Sequence, residues 1–408
     1  MFVSQRIALD PNNNQETHFR MASGTARFAY NWALAAWREE YASGWKPSAF
    51  KLCRAFNAIK GNAFPWASDV SARAAEAAIL NLGTAYDRFF KKMADYPQFK
   101  KKGVRDAFEV PYRNIIVEQK RARIPKLGWV KTRQPLRFQG KIKKVYISRQ
   151  GHRWFLSVAI ETENPFPQSE NQAAVGVDLG VTTLATLSTG EKLTGPKPHN
   201  YLLGRLRRLN RSLARKVKGS RNRDKAKRKL SRLHARIGNI RQDALHRLTH
   251  RLTRDFGVIG IESLNVAGMV KNHNLARAVS DMGFHEFKRQ LTYKAEWRCV
   301  RVVEADTFYP SSKTCSACRR VMETLPLSVR EWECRCGALH DRDVNAAINL
   351  RNKAVEFTAS ACGEESSGRG SNAAVKLASM KQEPASPKLG RRRGKLNPPN
   401  PGLKHGKN

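Results

Sequence analysis

Two short cysteine pairs, Cys315-Ser-Ala-Cys318 and Cys334-Arg-Cys336, stand just ahead of the acidic string His340-Asp341-Arg342-Asp343. Four thiolates at these spacings suit one tetrahedral Zn²⁺, and four protein ligands leave no open position, so the expected role is structural. The second pair is one residue shorter than the usual C-x2-C, which narrows its bite and makes His340 a candidate substitute ligand. The carboxylates that follow suit a harder ion such as Mg²⁺.

Two further acids sit where acids are uncommon. In Ala174-Val175-Gly176-Val177-Asp178-Leu179-Gly180, strand alternation puts Val175, Val177 and Leu179 on one face, with Asp178 on the other between Gly176 and Gly180. Strand interiors disfavour Asp and Gly, and glycines on both sides leave room for something bulky to approach. The alternative is a turn-forming Asp at a strand end. In Gly257-Val258-Ile259-Gly260-Ile261-Glu262, a glutamate ends an apolar strand. A charge there is costly unless it is paired, binds a metal or emerges into solvent. In the third segment an Asp opens the amphipathic helix that runs on to Leu350. One of Asp341 and Asp343 can be its N-cap, and spacing alone does not say which. Three carboxylates from separate elements are the ligand set for two-metal phosphodiester hydrolysis. Their order, Asp…Glu…Asp, differs from the Asp-Asp-Glu order of cut-and-paste transposases.

The elements that must position these residues can be read from periodicity. Residues 1–9 alternate as a strand. Helical spacing follows from Gln15 to about Trp45 and from about Ser71 to Met93. Between about 108 and 162 the texture is short β-branched and aromatic runs, including strands 144–148 and 154–160 joined at Gly151. Residues 163–172 form a linker. Strands at 174–180 and 183–188 lead into a basic helical stretch, about 199–254, with nineteen Lys/Arg against two Asp; Lys218-Gly219-Ser220 folds it into a hairpin. A buried strand (256–261), a helix (about 282–298), a strand (300–304), the cysteine region and a short helix (about 343–356) complete an α/β layer pattern. Beyond about 358 the chain is rich in Gly, Ser, Pro, Lys and Arg and is expected to be disordered.

The chain has 408 residues and a formal charge of +41. That length fits two or three domains, and an excess this large points to a polyanionic partner. No segment reaches the length of a membrane span, and the N-terminus lacks the apolar run of a signal peptide, so a cytoplasmic location is expected. Seven cysteines with no sign of an oxidising compartment argue against a disulfide framework. Cys53 and Cys299 read as buried thiols and Cys362 as part of the tail. The basic helical stretch suits phosphate contact rather than base reading.

Together these residues resemble TnpB, the RNA-guided nuclease family of bacterial insertion sequences, related to type V CRISPR effectors. The resemblance covers roughly residues 1–355. It rests on Gly24-Thr25-Ala26-Arg27-Phe28-Ala29-Tyr30-Asn31-Trp32, Ile124-Pro125-Lys126-Leu127-Gly128-Trp129, Gly176-Val177-Asp178-Leu179-Gly180, Gly260-Ile261-Glu262, and Tyr309-Pro310-Ser311-Ser312-Lys313-Thr314-Cys315-Ser316-Ala317-Cys318 leading to His340–Leu350. It implies a multidomain α/β protein. A RuvC-like, RNase H-type nuclease domain (173–308 and 340–356) would carry an inserted zinc ribbon (309–339). A wedge-type β-barrel (1–20 and 100–165) would carry a helical recognition insert (21–99), and a basic tail would span 357–408. By position Asp178, Glu262 and Asp343 match the family's catalytic acids, holding two Mg²⁺; this favours Asp343 over Asp341. Cys315, Cys318, Cys334 and Cys336 match its ligands for one structural Zn²⁺, the shortened second pair being a departure. The implied partners are a guide RNA from the element's end and double-stranded DNA bearing a short flanking motif, with no membrane and no small-molecule substrate. Arg27, Tyr30, Asn31 and the loop 97–103 are candidates for reading that motif or for RNA contact. The alternatives are a nuclease-inactive guided repressor and a transposase acting directly on element ends.

Overall fold

Apolar alternation in the first nine residues produces β1 (Phe2–Asp10), whose Val3, Ile7 and Leu9 are buried. Asn12 then ends the strand and opens α1 (Asn13–Ala42) through a capping box with Gln15. Two more helices follow, α2 (Ala49–Ala63) and α3 (Ala72–Phe90). Strands β2 (Ala107–Val110), β3 (Ile116–Glu118), β4 (Arg121–Ile124), β5 (Gly128–Thr132), β6 (Lys141–Gln150) and β7 (Arg153–Glu161) pair with β1 in the order β2-β6-β7-β1-β5-β4-β3. No pairing joins β2 to β3, so among the described residues hydrogen bonding does not close this curved sheet into a ring. Phe19 of α1 packs on Trp154 and Phe108, which fastens the helices to the sheet.

The computed structural model describes residues 1–168, 171–326 and 328–363. The second half is built on β8 (Ala174–Asp178), β9 (Ala185–Leu187) and β10 (Lys192–Leu193). The basic stretch follows as α4 (Pro198–Tyr201), α5 (Leu203–Ala214) and α6 (Arg221–Asp255). Leu202, Leu206, Leu233 and Ile237 close the expected hairpin seam, and Gly219 supplies the positive φ (+84°) at its turn. Then come β11 (Val258–Glu262), α7 (Val266–Lys271), α8 (Ala276–Met282), α9 (Phe284–Arg298) and β12 (Arg301–Ala305). The sheet order is β10-β9-β8-β11-β12, with β8, β11 and β12 parallel. Its Val175, Val177, Ile259 and Ile261 share a core with Leu245 and Leu252 of α6 and with Phe287 and Leu291 of α9. Last come the hairpin β13 (Glu331–Glu333) and β14 (Leu339–Asp341), and α10 (Arg342–Gly363).

Several details differ from the sequence reading. α1 starts at Asn13 and is the entry to the helical insert. The residues 163–168 do not hang as a linker: Asn164 donates to the carbonyl of Trp297 and Phe166 stacks on the Trp297 ring, centroids 4.6 Å apart. Cys299 is exposed, in a left-handed conformation at the end of α9, whereas Cys53 is half-buried at the edge of the N-terminal core, its thiol 3.7 Å from the Glu76 carbonyl. α10 continues to Gly363 and therefore includes Cys362; the remainder of the expected tail, 364–408, lies outside the described residues. No helix among the described residues is long and apolar enough to cross a membrane.

Candidate active site and cysteine clip

Parallel pairing sets β8 and β11 in register, Gly176 beside Gly260 and Val177 beside Ile261. One residue further, Asp178 and Glu262 leave the carboxyl ends of adjacent strands on the face that carries the two glycines. What approaches those glycines is α10. A Cβ on Gly176 would overlap the carbonyl oxygen of Ala347, and one on Gly260 would overlap that of Leu350. The room expected for a ligand beside Gly176 is thus filled by helix backbone. That close approach brings the first turn of α10, with Asp343, near enough to Asp178 for their charges to interact.

The electrostatics record the convergence. The Asp178 carboxyl is pushed well above its ordinary range by desolvation, then by the neighbouring charges of Glu262 and Asp343. Glu262 is raised as well, chiefly by desolvation, although the Leu179 N–H donates to it at 3.4 Å. Among the described residues no Lys or Arg forms an ion pair with Asp178 or Glu262; Asp343 has one, Arg330, at 3.3 Å. Arg342 offsets the Asp178 charge only as the smallest contribution; crowded carboxylates of this kind offer the hard-oxygen chemistry that a divalent cation such as Mg²⁺ neutralises. A cavity of 270 Å³ opens beside Glu262, lined by Leu179, His285 and Lys288 among others.

Asp341 does a different job. Its carboxylate accepts from the N–H groups of Asp343 and Val344 at 3.1 and 3.0 Å, capping α10, and Lys192 meets it at 2.5 Å. Burial pushes its carboxyl up, but Lys192 and the helix amides outweigh burial and hold it below the usual range.

The sulfur atoms of Cys315, Cys318, Cys334 and Cys336 all lie within 4.8 Å of one another. Cys315 to Cys336 is 3.7 Å and Cys318 to Cys334 is 3.6 Å. Tetrahedral Zn–S bonds of about 2.3 Å require S···S separations of about 3.8 Å, so the shortened pair still closes the set and the four residues fit Zn²⁺. His340 is not needed as a substitute. Its Nε2 lies 3.1 Å from the Cys315 sulfur, against which it can donate.

The nucleic-acid candidates divide. Arg27 and Lys100 line a 710 Å³ groove between α1, α3, the loop 99–105 and the first sheet. Arg27 also faces Asp106 at 3.6 Å. Asn31 is a strut instead: its amide donates to the Lys100 carbonyl (3.0 Å) and accepts from the Lys100 N–H (2.8 Å). Tyr30 is buried, with the Lys100 amine 3.6 Å above its ring, and desolvation lowers that amine to about 8. Sequence reasoning missed Arg330, Lys192, and the buried Asn345 and Asn349 of α10. The last two carried a readable signal, polar residues four apart among alanines on a buried helix face.

Comparison with known proteins places these features. A family model described as "Probable transposase" matches residues 157–273, one for the Cas12f1-like TNB domain matches 284–350, and one described as a helix-turn-helix domain matches 4–46. The last range holds β1, the single helix α1 and the turn after it. The chain is 38% identical to a protein of Streptomyces pristinaespiralis named "Putative RNA-guided DNA endonuclease", over 92% of this chain and 94% of that one. It is 34% identical to the Escherichia coli K12 protein of that name designated InsQ, over 88% and 93%. A solved Cas12f1–sgRNA–target DNA complex shares the fold at a TM-score of 0.51 and 13% identity, with 83% of each chain covered.

Proposed function

Since the chain belongs to the TnpB family of insertion-sequence nucleases, we propose that it is an RNA-guided DNA endonuclease that hydrolyses phosphodiester bonds at Asp178, Glu262 and Asp343. The observation that carries this reading is the gathering of acids from three elements, with desolvation and then the charges of Glu262 and Asp343 raising Asp178, and no ion pair to Asp178 or Glu262 among the described residues. Mg²⁺ ions held there would supply charge neutralisation and a water nucleophile at neutral pH. The residues of the chain do the rest. β8 and β11 hold two carboxylates rigidly at the ends of adjacent strands, and α10 delivers the third from one side. The Asp341 cap fixes where that helix starts, and so which acid points inward. The cysteine clip would hold one Zn²⁺ as scaffold for the segment leading into α10.

Guide RNA and target DNA are the partners this reading requires. α5 and α6 present rows of Arg and Lys that suit phosphate backbones, leaving sequence choice to base pairing. The groove lined by Arg27 and Lys100 suits the duplex that flanks the target. The test is to purify the chain with its co-bound RNA, sequence that RNA, and offer DNA matching its variable end. Cutting at the matched site, lost in Asp178→Ala while guided binding persists, is expected; a heterogeneous RNA pool, or cutting that ignores the match, contradicts the reading. The "Probable transposase" match favours a second reading, strand joining at element ends. It requires activity on element-end DNA without RNA, which the same preparation can be assayed for.

A further inference from the structure

Helix α10 is held from two sides. One side lies on Gly176 and Gly260 of the sheet. The other meets the cysteine clip through two asparagines one helical turn apart, Asn345 and Asn349, which are 1% and 3% exposed. Burying two amides on one helix face is costly unless every polar group finds a partner. Here the partners are backbone groups of the segment Ser311–Ser316, which leads into the first cysteine pair. Asn345 donates to the carbonyl of Thr314 at 2.7 Å and accepts from the N–H of Ser316 at 2.9 Å. Asn349 donates to the carbonyls of Ser311 and Thr314 at 2.8 and 2.6 Å. Ser316 lies between Cys315 and Cys318, so the contact reaches inside the first cysteine knuckle.

The second arm of the clip touches the same helix. β14 runs into α10 without a break, and His340 lies against the Cys315 sulfur. Arg342, itself buried, donates to the carbonyl of Pro326 at 2.7 Å, and its N–H donates to the Arg330 carbonyl at 2.7 Å. Asp343 stands between these contacts. Both arms of the clip therefore end on the first two turns of the helix that carries the third acid.

We propose that Asn345 and Asn349 are positioning residues that lock the first cysteine knuckle onto α10, so that metal loading of the clip and placement of Asp343 are one linked event. Linkage is reciprocal: weakening the lock must both loosen the metal and misplace the acid. The helix stays docked on the two glycines, so the fold and the basic surfaces survive. The part concerning Asp343 rests on the nuclease reading; the part concerning the metal does not.

Asn349→Asp keeps the size of the side chain but turns two donors into a carboxylate facing two carbonyls. The full chain with its co-bound RNA, in wild-type and variant form, is assayed for zinc release to a chromogenic chelator, single-turnover cleavage, and target binding in Ca²⁺. The expected result is zinc released about tenfold faster and cleavage about tenfold slower, with target affinity kept within about twofold. Asn345→Ala should do the same. Zinc release at the wild-type rate overturns the proposal, and so does faster release with undiminished cleavage. A parallel collapse of cleavage and target binding also overturns it, since that marks a general folding role. If Asn349→Asp does not fold, Asn349→Ser keeps one donor and is judged by the same outcomes, with smaller losses expected. Persistent cutting by Asp178→Ala would fail the nuclease reading alone, because the zinc arm is read without DNA.

Discussion

The two sheets treat buried acids in opposite ways. In the N-terminal sheet Glu109 is 3% exposed and lies between two cations, the Arg73 guanidinium with its Nε at 2.8 Å and Lys144 at 3.7 Å. Asp106 is likewise shared by Arg27 and Arg149. In the five-stranded sheet Asp178 and Glu262 stand together without an ion pair among the described residues, Arg342 offsets the charge on Asp178 only weakly, and the charge of a third acid, Asp343, adds to it. A protein with 75 Lys and Arg has no shortage of partners. Leaving two adjacent acids without an ion pair is thus a property of this place in the fold, and under the proposed function it separates carboxylates that hold a fold together from those kept ready for a ligand.

The contrast can be broken experimentally. The largest effect expected is at the glycines that admit α10: Gly176→Ala forces helix and strand apart and should destabilise by about 3 kcal/mol or more, read by denaturant unfolding. Glu109→Gln should cost about 2 kcal/mol by removing the buried charge that Arg73 and Lys144 share, with only the longer Glu76 contact left to Arg73. Asp178→Asn should have the opposite sign. Because the folded carboxyl is raised, the metal-free chain loses stability as pH climbs from about 4 toward that raised value, the unfolded carboxyl ionising first. Removing the charge should lift the neutral-pH melting temperature by about 2–4 °C for each ~1 kcal/mol relieved, and flatten that part of the pH dependence. Destabilisation by Asp178→Asn would erase the distinction between the two sheets. The smallest effect is on the basic hairpin. Each exposed Arg of α6 changed to Gln should lower the salt slope of nucleic-acid binding by about one if it meets a phosphate, and by nothing if it only faces solvent.

Much of this was legible in the chain, for identifiable reasons. β8 and β11 announce themselves by apolar runs, and Asp178 and Glu262 stand out because strand interiors reject charge. The basic hairpin showed through its leucine spacing and Gly219. Other features depend on contacts that no local pattern encodes. Gly176 and Gly260 looked like room for a ligand, because nothing nearby in sequence reveals a helix returning from about ninety to one hundred and seventy residues away. Asn31 looked like a reader of nucleic acid until its amide was seen tied to Lys100. The shortened Cys334–Cys336 pair looked strained because spacing alone does not reveal the turn that presents it: both cysteines sit in the β13–β14 turn, where Gly337 adopts a positive φ and its N–H closes onto the Cys334 carbonyl. α7 and α8 were missed because they are one or two turns long, too short for periodicity to register.

The central claim is that one acid from each of β8, β11 and α10 forms a single hydrolytic site, with Asp341 outside it as a cap. Single-turnover cleavage of a matched target by Asp178→Ala, Glu262→Ala, Asp343→Ala and Asp341→Asn tests it side by side. The first three are expected to fall by about a thousandfold or more while target binding survives. Asp341→Asn keeps an oxygen for the cap and should stay within about tenfold of the wild-type rate. Cutting retained by Asp343→Ala, or abolished by Asp341→Asn alone, would contradict it.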